Sequence, residues 1–381
     1  MRISSGGTAD APEAHIPDPA EEFGVGLVSV TDPGSRWTVG VLGLGNSIDP
    51  LNPVASGRLA ISAGGRVEVG QTLNVGDRGK INLDGGTLSV GGSGLTNDGS
   101  FRISSSPSHV LGRVTNLSGG TIAIEGTRAT FHNEVFNRSE FRVGPAGEAI
   151  LLGELTGATP GSTIVEAGGS LTAPRIGEQS LTVNGNVNIN PGGTDASTSR
   201  LNQLSVTGRL DLSNNALLLD YTGPSPINTI RALITSGFAG GSWNGSGINS
   251  STAASTPNRA IGFAEATDIG SPAVFAGQAI DATTVLIRFT LPGDANLDRT
   301  VNIADFSLLA SNFNLASNRW ARGDFNYDGS TGIGDFALLA ANFNQTLPAD
   351  AARPAGAAVP EPAGMVAALG LTLARRSRRR R

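Results

Sequence analysis

The sequence of 381 residues contains no cysteine, and this absence excludes three kinds of chemistry. Disulfide bonds, zinc sites built from thiolates and cysteine nucleophiles all require that side chain. Aromatic residues are also scarce, at 5%, and charged residues make up only 15%. Glycine, in contrast, is abundant, with 53 copies. This combination favours many short strands and tight turns over packed helices.

Histidine is rare as well, and the net charge is negative. His15, His109 and His132 lie far apart in the sequence, so they form no metal-ligand or catalytic motif. The formal net charge is -5 although six arginines lie in the last seven residues, so the rest of the chain is more acidic still. Such a chain is poorly suited to a phosphate backbone, and we expect no nucleic-acid partner.

Changes of composition along the chain predict six segments. The first is polar and lacks the basic start and apolar run of a signal peptide, so we expect the gene of an exported protein to start upstream of Met1. The segments are a polar N-terminal segment (1–38), a β-helix-like repeat region (39–221), a β-rich segment with flexible loops (222–291), a calcium module (292–347), a linker (348–358) and a sorting tail (359–381).

Residues 39–221 alternate apolar and polar side chains, interrupted by glycine-rich turns such as 84–86. Asparagine recurs at Asn97, Asn116 and Asn133, at intervals that fit one coil of a parallel β-helix. We therefore predict a mainly β fold with a glycine-rich parallel β-helix, and an antiparallel β-sandwich is the alternative. The pattern resembles the passenger repeats of autotransporter-like bacterial surface proteins, which implies a stalk or an adhesive surface with a possible cell-surface polysaccharide partner.

Residues 222–291 are interpreted as further β structure. Apolar runs at 229–234 and 284–289 are predicted strands, separated by loops rich in serine, glycine and asparagine. The second run ends at Leu291-Pro292-Gly293, and it resembles the stretch before calcium-loop modules in secreted proteins of planctomycete-type bacteria.

Two copies of one loop follow, and their residue types specify a chemistry. The copies begin GDANLDRTVNIAD at Gly293 and GDFNYDGSTGIGD at Gly323. A hard cation such as calcium takes about six to eight oxygen ligands, supplied here from loop positions 1, 3, 5, 7, 9 and 12. The predicted ligands are Asp294, Asn296, Asp298, the Thr300 carbonyl, Asn302 and Asp305 in the first loop, and Asp324, Asn326, Asp328, the Ser330 carbonyl and Asp335 in the second, where Gly332 leaves position 9 to water.

The duplication predicts two calcium ions, with two metal-free turns as the alternative. Each loop runs into an apolar stripe at helical spacing, which predicts two helices packed together. That packing would bury four phenylalanines, Phe306, Phe313, Phe336 and Phe343. The first loop has Arg299 at position 6, where a sharp turn normally requires glycine, and a left-handed residue with a Cβ costs about 1–2 kcal/mol.

No apolar helix precedes either loop, so the order is loop–helix, twice. In this respect residues 292–347 resemble a type I dockerin. The resemblance implies a compact module with two calcium ions, and a partner surface at loop positions 10 and 11, here Ile303, Ala304, Ile333 and Gly334. These residues lack the hydroxyls often used there, so an intramolecular docking partner is an alternative to a cohesin-like one.

The C-terminal tail joins a short motif, an apolar run and a basic end. Pro360, Glu361 and Pro362 precede an apolar stretch of residues 363–374 and then the arginines. This order resembles a PEP-CTERM sorting signal, which implies an exosortase-type processing enzyme, transient membrane anchoring and an extracellular or cell-surface location. The apolar run is shorter than the roughly 20 residues that span a bilayer, and a disordered basic tail is the alternative.

Two functions of different classes fit these segments. The first is a non-enzymatic extracellular or cell-surface protein, with a β-rich stalk or adhesive region bearing a calcium-binding docking module. The alternative is a polysaccharide-acting enzyme, a glycoside hydrolase or lyase, which would need paired carboxylates or a carboxylate–arginine–calcium cluster on one face. Acidic residues are sparse between 40 and 290, so the first is favoured and no catalytic residue is predicted.

Overall fold

The computed structural model describes residues 1–16, 25–45, 56–316 and 319–348. These belong to one compact unit, Met1–Asp350, and the second unit, Ala351–Arg381, lies outside the described residues. Strand makes up 47% and helix 15%, which confirms a mainly β fold. No helix among the described residues combines the length and the apolar character needed to cross a membrane.

The strands are short and follow one another through tight turns. The first group is β1 Arg2–Ile3, β2 Thr8–Ile16, β3 Val25–Thr31, β4 Arg36–Leu44, β5 Ser56–Ser62, β6 Arg66–Val75, β7 Lys80–Asp84, β8 Thr87–Val90, β9 Gly94–Asn97, β10 Ser100–Ser104 and β11 Ser108–Leu111. The second group is β12 Val114–Asn116, β13 Thr121–Glu125, β14 Arg128–Phe131, β15 Val135–Asn137, β16 Glu140–Val143, β17 Glu148–Leu151, β18 Leu155–Gly157, β19 Ser162–Val165, β20 Ser170–Ala173, β21 Ile176–Val183 and β22 Asn186–Ile189.

The C-terminal part mixes strands with helices. Its strands are β23 Ser199–Val206, β24 Arg209–Asp211, β25 Ala216–Asp220, β26 Gly247–Asn249, β27 Ala260–Glu265, β28 Val274–Phe275, β29 Gln278–Ala279, β30 Thr284–Thr290, β31 Leu315–Ala316 and β32 Ser330–Thr331. Its α-helices are α1 Ile227–Phe238, α2 Ser251–Ser255, α3 Ile303–Ser311 and α4 Ile333–Asn342.

Parallel pairing joins most of these strands into one large sheet with the topology of a β-helix, and β28–β29 and β31–β32 form two small separate sheets. From β7 to β18 each strand pairs in parallel with the strand three places later, as in the row β7, β10, β13, β16 and β19. Three strands therefore make one coil. Earlier and later coils contain two strands, because β6 and β21 each replace two shorter strands. A β-sandwich would need antiparallel neighbours, so that alternative does not describe these coils.

The interior of the coils is a stack of side chains in register. Ile81, Phe101, Ile122 and Phe141 pair in turn across four coils, and each is fully buried. Alternate residues point outward, as the alternation in the sequence predicts. No coil can bury its own inward face alone, so stacking supplies the core.

One row of the interior is polar. The Asn97 side-chain amide donates to Asn116 Oδ1 (2.7 Å), and the Asn116 amide donates to Asn137 Oδ1 (2.9 Å). The partners are 19 and 21 residues apart, close to the period predicted from the sequence. The third position predicted from the sequence, Asn133, is wrong, because its side chain accepts from a turn N–H outside this row.

The N-terminal boundary of the β-helix differs from the prediction. Strands begin at Arg2, so the coils start well before residue 39. The inward residues of β2 include Ala9, Ala11 and Ala14, whose small side chains hide the apolar alternation in the sequence. β2 also contains Pro12, which it tolerates because it pairs with β4 alone among the described strands.

A second difference concerns residues 229–234, which were predicted to be a strand. They lie within α1, which buries Ile227, Ile230, Ile234 and Gly237. This spacing is helical, so the helical period outweighed the β-branched composition of the run. The other predicted strand is confirmed as β30.

The parallel pattern ends with three antiparallel strands. β30 pairs with β25 on one side and with β27 on the other. Among the described strands β27 has no second neighbour, so it is the last strand of the sheet at this end. The chain leaves β30 directly into the first predicted calcium loop.

Candidate metal centre

Each predicted calcium loop leads into a helix, as expected. α3 begins at Ile303 after the N-cap Asn302, and α4 begins at Ile333 after Gly332. The Asn302 side-chain oxygen accepts from the Ala304 N–H (2.7 Å), so it caps the helix.

The last aspartate of each loop closes the loop in the same way. Asp305 is buried, and its carboxylate accepts from the N–H groups of Ala295 (2.8 Å), Asn296 (3.2 Å) and Asn302 (2.8 Å). Asp335 repeats the three bonds with the equivalent N–H groups, at 2.7, 3.1 and 2.9 Å. Each carboxylate therefore ties the start of its loop to the start of the helix, where the helix dipole also favours negative charge.

The first aspartates of the loops differ in one respect. Both oxygens of Asp294 are engaged, because they accept from the backbone N–H groups of loop positions 5 (3.0 Å) and 6 (2.9 Å) and from the Thr290 hydroxyl. Asp324 Oδ2 accepts from the N–H of position 6 (3.2 Å). Asp324 Oδ1 is buried and has no hydrogen-bond partner in the described part of the chain. An unsatisfied buried carboxylate oxygen is destabilising unless a cation or another donor meets it.

Burial raises the pKa of the aspartates at both ends of each loop. The pKa of Asp294 rises to about 7 and that of Asp324 to about 6, chiefly through burial and further through repulsion from Asp305 and Asp335 respectively. Burial also raises the pKa of those two partners. Each loop thus holds two buried carboxyl groups close together, and a bound cation would relieve both the burial and the repulsion.

The residues at positions 3 and 5 are bonded to each other. The Asn296 amide donates to Asp298 (3.0 Å), and the Asn326 amide donates to Asp328 (2.8 Å). The same carboxylates accept the N–H of position 7 at 2.8 Å in both loops. The position-7 residues, predicted to offer carbonyl ligands, are Thr300 and Ser330.

The carboxylates are therefore turned toward the backbone of their own loops. Within the described ranges, no three His, Cys, Asp or Glu side chains lie close enough together to hold a metal ion. The two calcium ions remain a prediction. The donor set is nevertheless suited to a hard cation, because all of its predicted ligand atoms are oxygens. One buried oxygen, Asp324 Oδ1, has no other partner among the residues that the structure describes.

Both loops use left-handed backbone at the same two positions. Position 6 is Arg299 (φ 76°) in the first loop and Gly329 (φ 91°) in the second, so the turn predicted there is confirmed. Position 4 is left-handed as well, at Leu297 (φ 62°) and Tyr327 (φ 64°), and the sequence analysis did not anticipate this.

The arginine at position 6 has contacts that offset its strain. The Arg299 guanidinium donates to the carbonyl oxygens of Gly193 (3.2 Å), in the β-helix, and of Pro348 (2.9 Å). A glycine at this position would relieve the backbone and lose both contacts.

The four residues predicted to contact a partner are exposed. They lie in the first turns of α3 and α4, and Ile303 and Ile333 are 65% and 74% accessible. Ala304 and Gly334 are exposed beside them.

The predicted burial of four phenylalanines is wrong. Phe313, Phe336 and Phe343 are exposed, and Phe306 is half-buried, with its ring centroid 6.3 Å from that of Phe336. The helices bury Leu309 and Leu339 together with the loop aspartates and Asn342 instead. The buried stripe is set by what each helix covers in the rest of the protein, which the helical period alone does not reveal.

The residues that hold the loops against the β-helix were not predicted from the sequence. Tyr327 packs against Phe238, Trp243 and Trp320, with ring centroids 4.9, 6.1 and 5.5 Å away. Their rarity could have identified them. The chain has only three tryptophans and two tyrosines, and this cluster contains three of those five residues.

The predicted sorting motif, Pro360 to Pro362, lies outside the described residues. A scan against family models, a search of curated proteins and a search of solved structures each found no match to this chain.

Proposed function

We propose that this chain is a non-enzymatic extracellular or cell-surface protein, in which a β-helical stalk or adhesive region carries two calcium-binding loops. One observation carries the calcium part of the proposal. Two loops bury the same pair of carboxyl groups, Asp294 with Asp305 and Asp324 with Asp335, and the second member of each pair accepts the same three backbone N–H groups. Repetition of an arrangement that is unfavourable without a cation favours cation binding over incidental turns.

The outer faces of the β-helix support a structural function. Several acidic side chains pair with arginines of neighbouring coils: Arg102 with Glu125, Arg113 with Glu134, Arg128 with Glu148, Arg142 with Glu166, and Arg175 with Glu154. Each exposed pair contributes only about 0–1 kcal/mol. Their repetition keeps the surface polar and favours one register between coils. Acids used in this way are not the free carboxylate pair that the hydrolase alternative requires.

The calcium proposal is tested by titrating the full chain. We expect calorimetry to detect two calcium ions per chain, and chelation to reduce the helix signal in circular dichroism. Magnesium is the matched control, because it demands a tighter octahedral shell than these loops suit, and we expect it to bind more weakly. Absence of calcium binding would overturn the proposal.

An adhesive function needs a contact surface, and one cleft has suitable chemistry. It has a volume of about 640 Å³ and lies between the coils around β18 and β21 and the β28–β29 hairpin. Its lining mixes polar and apolar surface, and the polar side chains include Thr159, Arg175, Gln179, Arg200, Asn202 and Gln278. Hydroxyl-rich ligands such as polysaccharides bind through such arrays of donors and acceptors, so we assign the possible polysaccharide partner to this cleft.

Two matched arginines test this assignment. Arg175 lines the cleft and pairs with Glu154, whereas Arg113 forms the same kind of pair with Glu134 and does not line the cleft. If a polysaccharide in the gel retards the chain in affinity electrophoresis, Arg175→Ala should reduce this retardation and Arg113→Ala should not. Equal effects would exclude the cleft as the contact surface.

The proposed location rests on the C-terminal tail. We expect the chain, when expressed behind a signal peptide, to be exported and to reach the cell surface, and removal of residues 359–381 to abolish its transient membrane association. Fractionation of cells expressing the two forms measures this. Identical distribution of both forms would argue for a basic tail with no sorting function.

A further inference from the structure

The β-helix ends in a strand that should need covering. β27 pairs with β30 and with no other described strand, so one side of its backbone is free of sheet hydrogen bonds. An exposed edge is a template for pairing with another chain. Yet all six residues of β27 are buried.

The two calcium loops provide the cover. The Tyr327 hydroxyl donates to the Ile261 carbonyl oxygen (2.8 Å), which is an edge group of β27. Next to it, a Cβ on Gly262 would come within 2.4 Å of Leu297 Cδ2 and 2.7 Å of Trp320 Nε1. Only glycine permits this approach, so the strand and the loops fit each other closely.

The β-helix also supplies one arginine to each loop, at the same loop position. Arg288 of β30 donates to the carbonyl oxygen of Leu297 (2.9 Å), and Arg231 of α1 donates to that of Tyr327 (3.4 Å). Arg231 also lies 3.7 Å from Asp324 Oδ2. Because the same contact is made to both copies of the loop, we interpret these contacts as a specific interface.

The first loop is linked to the interface through its predicted first ligand. Trp320 is fully buried, and its Nε1 donates to the Asp294 carbonyl oxygen (2.6 Å). The backbone of the loop therefore bears the interface contacts, while its side chains bear the carboxylates. A cation that sets the shape of the loop also sets the positions of these contacts.

We propose that the docking partner of the calcium module is the edge strand β27 of its own β-helix, and that bound calcium holds the module on this edge. The inference rests on the proposed calcium binding and names the partner of that module as intramolecular. Loss of calcium should loosen the loops, expose β27 and allow it to pair with a second copy of this chain.

Hydrogen exchange of the full chain tests the link. On chelation of calcium we expect exchange at residues 260–265 to accelerate by about tenfold or more, while residues 121–125, inside the coil stack, keep their protection. Light scattering should show self-association appearing together with the faster exchange. Two calcium ions bound, with unchanged exchange at 260–265 on chelation, would overturn the inference and leave calcium binding intact.

Two conservative variants test the interface itself. Tyr327→Phe removes only the hydroxyl bond to β27, and we expect exchange at 260–265 to accelerate roughly fivefold in calcium while two ions still bind. Because coupling is reciprocal, calcium affinity should fall by a similar factor. Arg231→Gln should act in the same direction.

Matched controls are Phe343→Leu, at an exposed aromatic residue, and Arg66→Gln, at an exposed arginine that pairs with Glu68 in the coil stack. Unchanged exchange in both interface variants would show that these contacts do not hold the edge. Absence of calcium binding in the wild type would instead remove the proposed function, and the variants would still report whether the module covers β27.

Discussion

The β-helix and the two predicted calcium loops both bury carboxyl groups, and they do so by different means. In the β-helix, Glu178 is buried alone and accepts from the Asn137 amide (2.9 Å) and the Thr163 hydroxyl (2.5 Å). Burial raises the pKa of Glu178 to about 7. In each loop two aspartates are buried together, and their repulsion adds to the cost of burial. A lone buried acid can discharge by binding a proton, whereas a close pair is better neutralised by a cation.

The position of Glu178 follows from the polar row that it ends. Each asparagine of the row donates toward the next coil, so the last amide, that of Asn137, needs an acceptor. The residue paired with Asn137 is Gly157, which has no side chain to supply one. Glu178, one coil further on, is long enough to reach across the glycine.

The largest effect should come from removing the first carboxylate of a loop. Asp294→Ala and Asp324→Ala should each reduce the calcium stoichiometry from two to one in calorimetry. At calcium a thousandfold above the dissociation constant, each lost ion removes about 4 kcal/mol of stabilisation. Asp281→Ala, at an exposed carboxylate outside the loops, is the control and should retain both ions. Retention of two ions in either loop variant would exclude that residue as a ligand.

The next largest effect should come from an asparagine of the polar row. Asn116→Ala leaves the Asn97 amide and Asn137 Oδ1 without their shared partner, and we expect the free energy of unfolding to fall by about 3–4 kcal/mol. Asn133→Ala, at a turn, should cost about 1 kcal/mol. Denaturant titration measures both. Equal losses would mean that the row is no more important than a turn contact.

Glu178→Gln tests how the buried carboxyl group of Glu178 makes stability depend on pH, independently of the carboxyl groups in the loops. Because the folded-state pKa of Glu178 is about 7, above the value of 4.5 for an unperturbed glutamate, the protonated form is stabilised by folding. The corresponding stability is complete below pH 4.5 and is lost as the pH rises through 7. The glutamine variant should match the wild type near pH 4.5 and exceed it by up to about 3 kcal/mol at pH 8.

The difference between wild type and Glu178→Gln is the measured quantity, from denaturant titration at each pH in chelator. The loop aspartates titrate equally in both proteins and cancel. A difference that does not change with pH would show that folding does not raise the pKa of Glu178.

The smallest effect compares position 6 of the loops. Gly329→Ala introduces a Cβ at φ 91° with no compensating contact, and should weaken one calcium site roughly fivefold. Arg299→Gly relieves the same strain but loses the contacts to Gly193 and Pro348, so its net effect should be smaller. Calcium calorimetry of both variants measures the two changes. A gain of calcium affinity in Arg299→Gly that is larger than the loss in Gly329→Ala would show that the guanidinium contacts do not offset the strain.

Many features of the structure were predicted from patterns within short segments of the sequence. The calcium loops, the helices after them and the left-handed turn at Arg299 depend on residues within about a dozen positions of each other. The alternation of β13 or β16 also shows in its own few residues. Short segments of sequence are enough to predict these features, because helix, turn and strand periods are local properties of the backbone.

Contacts between distant segments decided the rest. The sequence could not select Asn137 over Asn133, because the choice depends on which residue each coil turns inward. It could not show that Phe313 is exposed, or that Tyr327 meets Ile261, which lies 66 residues earlier in the chain. The sequence by itself determined the β period, the duplicated loops and the oxygen-bearing side chains that they contain. Only the tertiary structure decided the register of the coils and the edge that the loops cover, because both arise from stacking between residues that the local backbone does not connect.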